Sequence, residues 1–445
     1  PEMAQPDLRL TRNVCDWSLP GISRLRAQLT MPGLPKLVPV DQALRSFLGA
    51  IPDPGPGSTE LIRTEHALGR ALAEPVIAPH PLPPFDRTTV DGYAVRAADT
   101  LGASSTHPAK FSLAGEVLMG AAPQLGVDRG QAALVHTGGM IPAGADAVVM
   151  IEDTQAVNGT EIVVLKAVAS GQNVIREGED VAAGQVVIPA GVRLRPQEIG
   201  GLMALGIVRV QVRLRPRVAL LSTGDEVVNP EAQPAPGQIR DVNSYSLGAL
   251  VEQAGGRPIL YGIIRDSAAE LEAVSRRAHA ESDLIAIAAG SSVSVRDLTA
   301  GVIQTLGPPG ILVHGVSIRP GKPTILAVCD QVPVVGLPGN PVSALVVAGL
   351  FLLPALRKLL GLRGPEWPSV RQARLTSNVN SAIGREDYLP VRLEVSPQGL
   401  LAAPVHGGSN LIFTLVRADG LIRIPPEQAG LEQDSLVEVR LFRDA

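Results

Sequence analysis

The sequence predicts a multidomain protein that joins an α/β part to all-β parts, and three observations carry the prediction. From Arg215 to Leu360, strand-length apolar runs alternate with helix-length ones. On both sides of that stretch, short β-prone runs are punctuated by glycine and proline. A chain of 445 residues also exceeds what one core organises, pointing to about three or four domains. Strands that alternate with helices argue for a mostly parallel sheet covered on both faces, because a parallel crossover needs a helix-length connection. Ligands in such sheets bind beyond the carboxyl ends of the strands.

In chain order, residues 1–38 show no sustained period and carry Pro20, Pro32 and Pro35, so they are expected to form a flexible extension. Val40 to Leu48 and Glu60 to Glu74 have helical spacing, with a Pro- and Gly-rich break between them. Arg193 to Val212 returns to that pattern, so a helical, extended domain is expected from 39–84 and 184–214. The prolines from Pro79 to Pro84 exclude helix and open a β module at 85–183, inserted into the helical domain. Its strands are expected at Phe111 to Val117, Ala132 to Val135, Ala147 to Ile151 and Glu161 to Val168.

The α/β domain, 215–364, has strand runs Val218 to Leu221, Pro258 to Ile264, Leu284 to Ala289 and Val332 to Leu337. Helices are expected at Ser244 to Ala254, Ser267 to Ala280, Leu298 to Leu306 and Pro341 to Leu360. Residues 365–445 read as a terminal β domain with strands at Arg371 to Leu375, Tyr388 to Val395, Leu411 to Leu415, Leu421 to Ile424 and Leu436 to Phe442.

Composition narrows the function. A formal net charge of -4 gives no electrostatic reason for a nucleic-acid partner. The most apolar run, Ala344 to Leu356, is shorter than the roughly 20 residues a membrane helix needs, so it is expected to be a buried helix. The opening residues include Asp7, Arg9, Arg12 and Asp16 and offer no uninterrupted signal-peptide core. Cys15 and Cys329 lie far apart without metal-ligand spacing, which fits a reducing cytoplasm.

Chemistry gathers where the strands of the α/β domain end. Asp225, Glu226, Asp266 and Asp297 each follow an apolar strand. One such acid is equally well explained by helix capping. Four on neighbouring strand ends repel one another unless a cation or proton is shared, which favours a Mg²⁺ site serving phosphates. Pro338-Gly339-Asn340-Pro341 starts a helix and offers backbone N–H groups as an anion seat. Arg319 and Lys322 flank a tight turn and suit an oxyanion. Asp91-Gly92-Tyr93, Thr137-Gly138-Gly139, Glu177 to Asp180, Gly384-Arg385-Glu386 and Gly407 to Asn410 are turns that signal little singly. No histidine pairs with a Ser or Cys in a local signature, so nucleophilic catalysis is not indicated.

In one order along the chain come Pro83-Pro84-Phe85-Asp86, Val90-Asp91-Gly92-Tyr93-Ala94-Val95, Leu221-Ser-Thr-Gly-Asp-Glu-Val227, Gly262-Ile-Ile-Arg-Asp266, Arg319-Pro-Gly-Lys-Pro323 and Gly336-Leu-Pro-Gly-Asn-Pro-Val-Ser343. Together they resemble the molybdopterin molybdenumtransferase family, which includes the gephyrin E domain, over roughly residues 39 to 445.

That resemblance implies a molybdopterin-binding-like α/β domain, a β-barrel-like C-terminal domain and an elongated homodimer whose site is shared between subunits. It implies insertion of molybdate into adenylylated molybdopterin with Mg²⁺, releasing AMP, and admits the molybdopterin adenylyltransferase as a partner. Catalytic roles are implied for Asp91, Thr137, Asp180, Glu226, Asp266 and Asp297, with Glu226, Asp266 and Asp297 as metal ligands. Cofactor contacts are implied for Gly224, Gly290, Ser291, Ser292, Ser294, Pro338, Gly339, Asn340 and Pro341, and oxyanion contacts for Arg319, Lys322, Arg385 and Ser409. Arg319 stands where lysine is usual and keeps the charge. Two other readings remain open: a non-catalytic scaffold or carrier of the same fold, and a nucleotide pyrophosphatase of the related α/β domain.

One loop departs from the family's common Gly-Gly-Val-Ser-Val-Gly-Glu-x-Asp, reading Ala289-Gly-Ser-Ser-Val-Ser-Val-Arg-Asp297. A Cβ at Ser294 is expected to strain a loop built for glycine, so Ser294→Gly is expected to tighten pterin binding.

Overall fold

Apolar strands buried on both faces set the centre of the molecule. The computed structural model describes residues 37–55, 57–290, 293–364 and 369–442, with the backbone alone for 293–296. The flexible extension expected of residues 1–38 therefore lies, but for its last two residues, outside the described residues.

Six strands form the central sheet: β1 (Arg217–Thr223), β2 (Arg257–Ile264), β3 (Leu284–Ala289), β4 (Pro309–His314), β5 (Ile325–Cys329) and β6 (Val332–Pro338). Their spatial order is β2-β1-β3-β6-β5-β4. The first four are parallel, while β5 and β4 continue the sheet antiparallel. The parallel part follows the sequence reading; β4 and β5 are additions, because Ile325 to Cys329 is a wholly buried run without alternation. Register aligns Thr223 with Ile264, Ser222 with Ala288 and Ala289 with Pro338, so the carboxyl ends of β1, β2, β3 and β6 share one edge.

Helices α3 (Asn243–Gln253), α4 (Ala268–Glu281) and α5 (Val293–Gln304) make the crossovers, and α6 (Pro341–Val347) continues through a π-helical turn at Ala348–Leu352 into α7 (Leu353–Leu359). Pro354 has no N–H to donate, and the wide turn just before it absorbs the mismatch without ending the helix. This run of 19 residues is apolar enough to cross a membrane but is mostly buried. Phe351, Leu352 and Leu356 pack with Leu220, Leu247 and Phe47 in the largest core, as the buried-helix expectation requires.

Three local expectations fail for non-local reasons. Thr59–Arg63 within the expected helix Glu60 to Glu74 is a strand, paired antiparallel with Arg209–Arg213. Only Pro196–Ala204 of Arg193 to Val212 is helical, as α2; Gly206, at φ +69, follows its end, and Arg209–Arg213 then buries Val210 and Val212 alternately. The expected strand Leu411 to Leu415 is instead a turn leading into the short helix Phe413–Val416. Helix α1 (Val40–Ala50) forms as expected and buries Val40, Ala43 and Phe47.

The β module has a six-stranded sheet over Phe111, Val149 and Ile162. The C-terminal domain closes five strands, β7 (Val370–Leu375), β8 (Glu386–Ser396), β9 (Gly399–Pro404), β10 (Gly420–Ile424) and β11 (Leu436–Leu441), into a barrel in the order β8-β9-β7-β11-β10 and back to β8. The central domain contributes Ile318–Arg319 as a parallel neighbour of β8, pairing Ile318 with Glu386 and Arg319 with Asp387.

Candidate functional site

The carboxyl edge of the central sheet holds the first group of functional side chains. β1 ends in Thr223 and turns through Gly224 at φ +148, where a Cβ would sit 2.7 Å from Glu226 Oε2, so this tight turn requires glycine. The backbone N–H of Asp266, beyond the end of β2, donates to Asp225 Oδ1 at 3.3 Å. Burial, reinforced by the nearby charges of Asp225 and Glu226, holds the Asp266 carboxyl above its ordinary range. Its Oδ1 is buried without a hydrogen-bond partner in the chain. An unpaired carboxylate oxygen among like charges is where a cation relieves both costs. Among the described residues no three acidic, histidine or cysteine side chains already converge as a complete ligand set. Asp266 and its acidic neighbours could supply one or two carboxylate oxygens to a cation.

Asp297 is not at a strand end. Helix α5 starts at Val293, so the expected polar loop Gly290 to Asp297 is shorter, and Asp297 is an exposed residue in the helix. The carboxylates acting on Asp266 are Asp225 and Glu226. Ser291 and Ser292 lie outside the described residues. Ser294 is in α5, where helical backbone suits any L-residue, so the strain expected of it is absent; glycine there would cost roughly 1 kcal/mol of helix propensity. The expected tightening by Ser294→Gly loses its basis.

The second group is built on the turn Pro338 to Pro341. Gly339 passes so close to β3 that a Cβ would meet the Ala289 carbonyl at 2.8 Å and the Gly290 Cα at 3.2 Å. Its own carbonyl accepts a bond from Asn243 Nδ2 at 2.8 Å. Asn340 Nδ2 donates to Ser409 Oγ at 3.0 Å, and the Val342 N–H, in the first turn of α6, donates to the Ser409 carbonyl at 3.0 Å. The barrel loop therefore takes one of the N–H groups expected to face an anion, and Ser409 is brought against Asn340.

The third group is cationic. The turn after Arg319 packs Gly321 onto α6, where a Cβ would meet Val347 Cγ2 at 2.5 Å. Arg319 and Arg385 both face Asp387, Arg385 Nε at 2.9 Å and Arg319 Nη1 at 3.8 Å. Two guanidinium groups share one carboxylate, and Lys322 is exposed with no ion-pair partner among the described residues. The surplus positive charge suits an oxyanion. Beneath it, Glu386 accepts two bonds from Arg423, at 2.7 and 3.0 Å, and one from the Tyr388 hydroxyl at 2.8 Å.

The β module carries Asp91, Thr137 and Asp180. Asp91 Oδ1 accepts from the Thr137 N–H at 2.7 Å and from its hydroxyl at 3.0 Å, and those bonds, the backbone one foremost, lower the Asp91 pKa. Asp86 accepts from the Glu177 N–H at 2.8 Å and Arg176 Nη1 at 2.7 Å, fixing the turn before Asp180, whose N–H donates to the Leu82 carbonyl at 3.1 Å. No hydrogen bond or ion pair among the described residues joins Asp91, Thr137 or Asp180 to the acidic or cationic groups.

Sequence reasoning missed Asp241, Asn243, Ser244 and Asp387. Asp241 is buried and accepts from Ser222 Oγ and the Ser244 N–H at 3.4 and 3.1 Å, which locks the start of α3 beside the acidic turn. An acid and an asparagine just before a helical period were a start signal that could have flagged them. Asp387 is the second residue of β8 and accepts a bond from Arg385 Nε, just before the strand, at 2.9 Å.

Comparison with known proteins follows this geometry. Residues 38–206 match the family model "MoeA N-terminal region (domain I and II)", 219–358 match "Probable molybdopterin binding domain" and 372–442 match "MoeA C-terminal region (domain IV)". A molybdopterin molybdenumtransferase of Nostoc sp. is 35% identical over 374 residues, 82% of this chain and 85% of the relative. One of Haemophilus influenzae is 33% identical, covering 91% of this chain and 99% of the relative. The crystal structure of a molybdopterin biosynthesis MoeA protein from Pyrococcus horikoshii superposes with a TM-score of 0.80 at 33% identity, over 92% of this chain and all of that one.

Proposed function

Because this chain belongs to the molybdopterin molybdenumtransferase family and is a transferase of molybdenum cofactor biosynthesis, we propose that it inserts molybdate into adenylylated molybdopterin with release of AMP, in a Mg²⁺-dependent reaction in the cytoplasm. The observation that carries this is a bonded link from the start of α3, beside the acidic turns, to the C-terminal domain, whose joint with the central domain carries the cationic group. Asn243 ties the region of the Asp225, Glu226 and Asp266 turns to Gly339, and Asn340 ties Gly339 to Ser409 of the barrel. Arg319 and Arg385 stand where that barrel meets the central domain.

Both substrates are anions, so bringing them together requires positive charge. Arg319, Lys322 and Arg385 would hold molybdate as a fan of N–H donors, with the Ser409 hydroxyl as a further contact. Asp387 fixes the Arg385 guanidinium through a 2.9 Å bond and lies 3.8 Å from that of Arg319. Asp266 and Glu226 would hold Mg²⁺, with Asp225 beside them. When bound, the ion would offset phosphate charge as AMP leaves. Gly224 and Gly290 with Ser291, Ser292 and Ser294 would line the pterin and nucleotide, against the turn Pro338 to Pro341. Asp91, Thr137 and Asp180 would close the site from the β module of the partner subunit, and the molybdopterin adenylyltransferase would deliver the adenylate. The domain limits read from the sequence belong to the same proposal.

The test is AMP release from adenylylated molybdopterin, measured with Mg²⁺ and molybdate together and with each omitted. Turnover only when both are present supports the proposal, and equal release without molybdate would instead favour the pyrophosphatase. A shared site also predicts a homodimer: light scattering at micromolar concentration should give twice the 46.4 kDa of one chain. A species of 46.4 kDa alone would remove the shared site.

A further inference from the structure

A cleft lined by cations lies at the opposite end of the central domain. The helical run that starts beside the site at Pro341 extends 19 residues to Leu359, about 28 Å at the α-helical rise. Where it ends, α1, the loop after it, the end of strand Arg209–Arg213 and residues 361–364 enclose a cleft of about 770 Å³. Five cations line it, Arg45, Arg213, Arg357, Lys358 and Arg363, against one carboxylate, Asp53. In a chain of net charge -4 such an imbalance is a local feature and not a reflection of overall composition.

The cations divide into two kinds. Arg213 Nη1 donates to the Gly55 carbonyl at 2.9 Å, Lys358 Nζ donates to the Leu48 carbonyl at 2.8 Å while facing Asp53 at 3.5 Å, and Arg357 Nη2 donates to the Arg363 carbonyl at 3.4 Å, so these three hold the cleft wall in shape. Arg45 and Arg363 are exposed and have no side-chain hydrogen bond or ion pair among the described residues. Asp53 is itself 90% exposed and neutralises little. Fixed cations below and unengaged guanidinium groups at the mouth match an anion carrying several oxygens, since arginine forks bind phosphate in bidentate fashion. The volume falls within the range of small-molecule sites.

We infer that this cleft binds a diphosphate-bearing small molecule of nucleotide size, at a site separate from the one proposed for molybdate and the pterin. Its convergence of charge from four segments into a concavity favours such a ligand over an acidic protein surface.

The experiment is calorimetric titration of the full chain with inorganic pyrophosphate and with ATP, orthophosphate serving as the size control. Saturable binding that weakens with salt is expected, tightest for the diphosphate-bearing ligands. The double variant Arg45→Glu, Arg363→Glu should weaken it at least about tenfold while AMP release is unchanged, and Arg45→Gln with Arg363→Gln should weaken it less. The double variant Arg319→Ala, Arg385→Ala should leave it intact. Binding lost in that last variant would put the ligand in the proposed active site and overturn the inference. So would binding unaffected by the charge reversals, no saturation at millimolar pyrophosphate, or binding of polyglutamate in place of pyrophosphate. Failure of molybdate-dependent AMP release would leave these titrations unaffected, so the two proposals fail separately.

Discussion

Asp266→Asn is expected to lower Mg²⁺-dependent AMP release at least about a hundredfold while raising the stability of the metal-free protein. The first effect follows because the amide keeps the size of the side chain and removes the charge that would hold the ion, and losing one preorganised electrostatic contact costs on the order of 10²–10³ in rate. The second follows from the raised pKa of Asp266, caused by burial and the neighbouring Asp225 and Glu226. A carboxyl with a raised native pKa holds its proton more tightly folded than unfolded. The wild-type protein therefore has its full share of stability below the unfolded pKa and loses it as pH rises through the raised native value. The asparagine variant lacks that loss and should gain about 0.5–2 kcal/mol near neutrality, the usual scale for relief at an active site. Thermal unfolding in chelator at about pH 4 and pH 8 checks the sign: the curves should converge at the lower pH and separate at the higher. Unchanged turnover would remove Asp266 from the metal site.

Arg423→Ala should destabilise the joint between barrel and central domain by about 2–3 kcal/mol. Glu386 is buried and takes two bonds from Arg423 and one from Tyr388, and its strand pairs with Ile318–Arg319. Removing the arginine leaves a buried carboxylate with one neutral donor. Breaking a fully buried pair costs roughly 3–5 kcal/mol, and the outer edge of Arg423 is in water, which lowers the figure. Chemical denaturation should show the loss, and Arg423→Lys should recover part of it. Because Asp387 lies next to Glu386 on β8 and Arg385 immediately precedes it, molybdate affinity should fall along with stability. An unchanged midpoint would mean the pair is not structural.

What the sequence disclosed follows the range of the interactions involved. β1, β3 and β6 were legible because burial on both faces leaves near-continuous apolar runs, the edge strand β2 because its run Pro258 to Ile264 is apolar although half-exposed, and the acids after β1 and β2 because polar turns end such runs. Glu60 to Glu74 was misread because Leu61 and Ile62 fit a helical period locally, whereas pairing with Gln211 and Val210 decided their state. Asp297 was misplaced because the start of α5 at Val293 carries no strong N-terminal signal. Ser409 could be named from its motif, but its contact with Asn340 joins residues 69 apart and only folding makes it visible. Asp387 hid for a similar reason, since its value lies in two arginines from different domains.

The most direct measurement counts two products in one reaction. With Mg²⁺, molybdate and adenylylated molybdopterin supplied, AMP released and molybdenum bound to the pterin should rise together in a one-to-one ratio. AMP appearing without pterin-bound molybdenum would contradict the account.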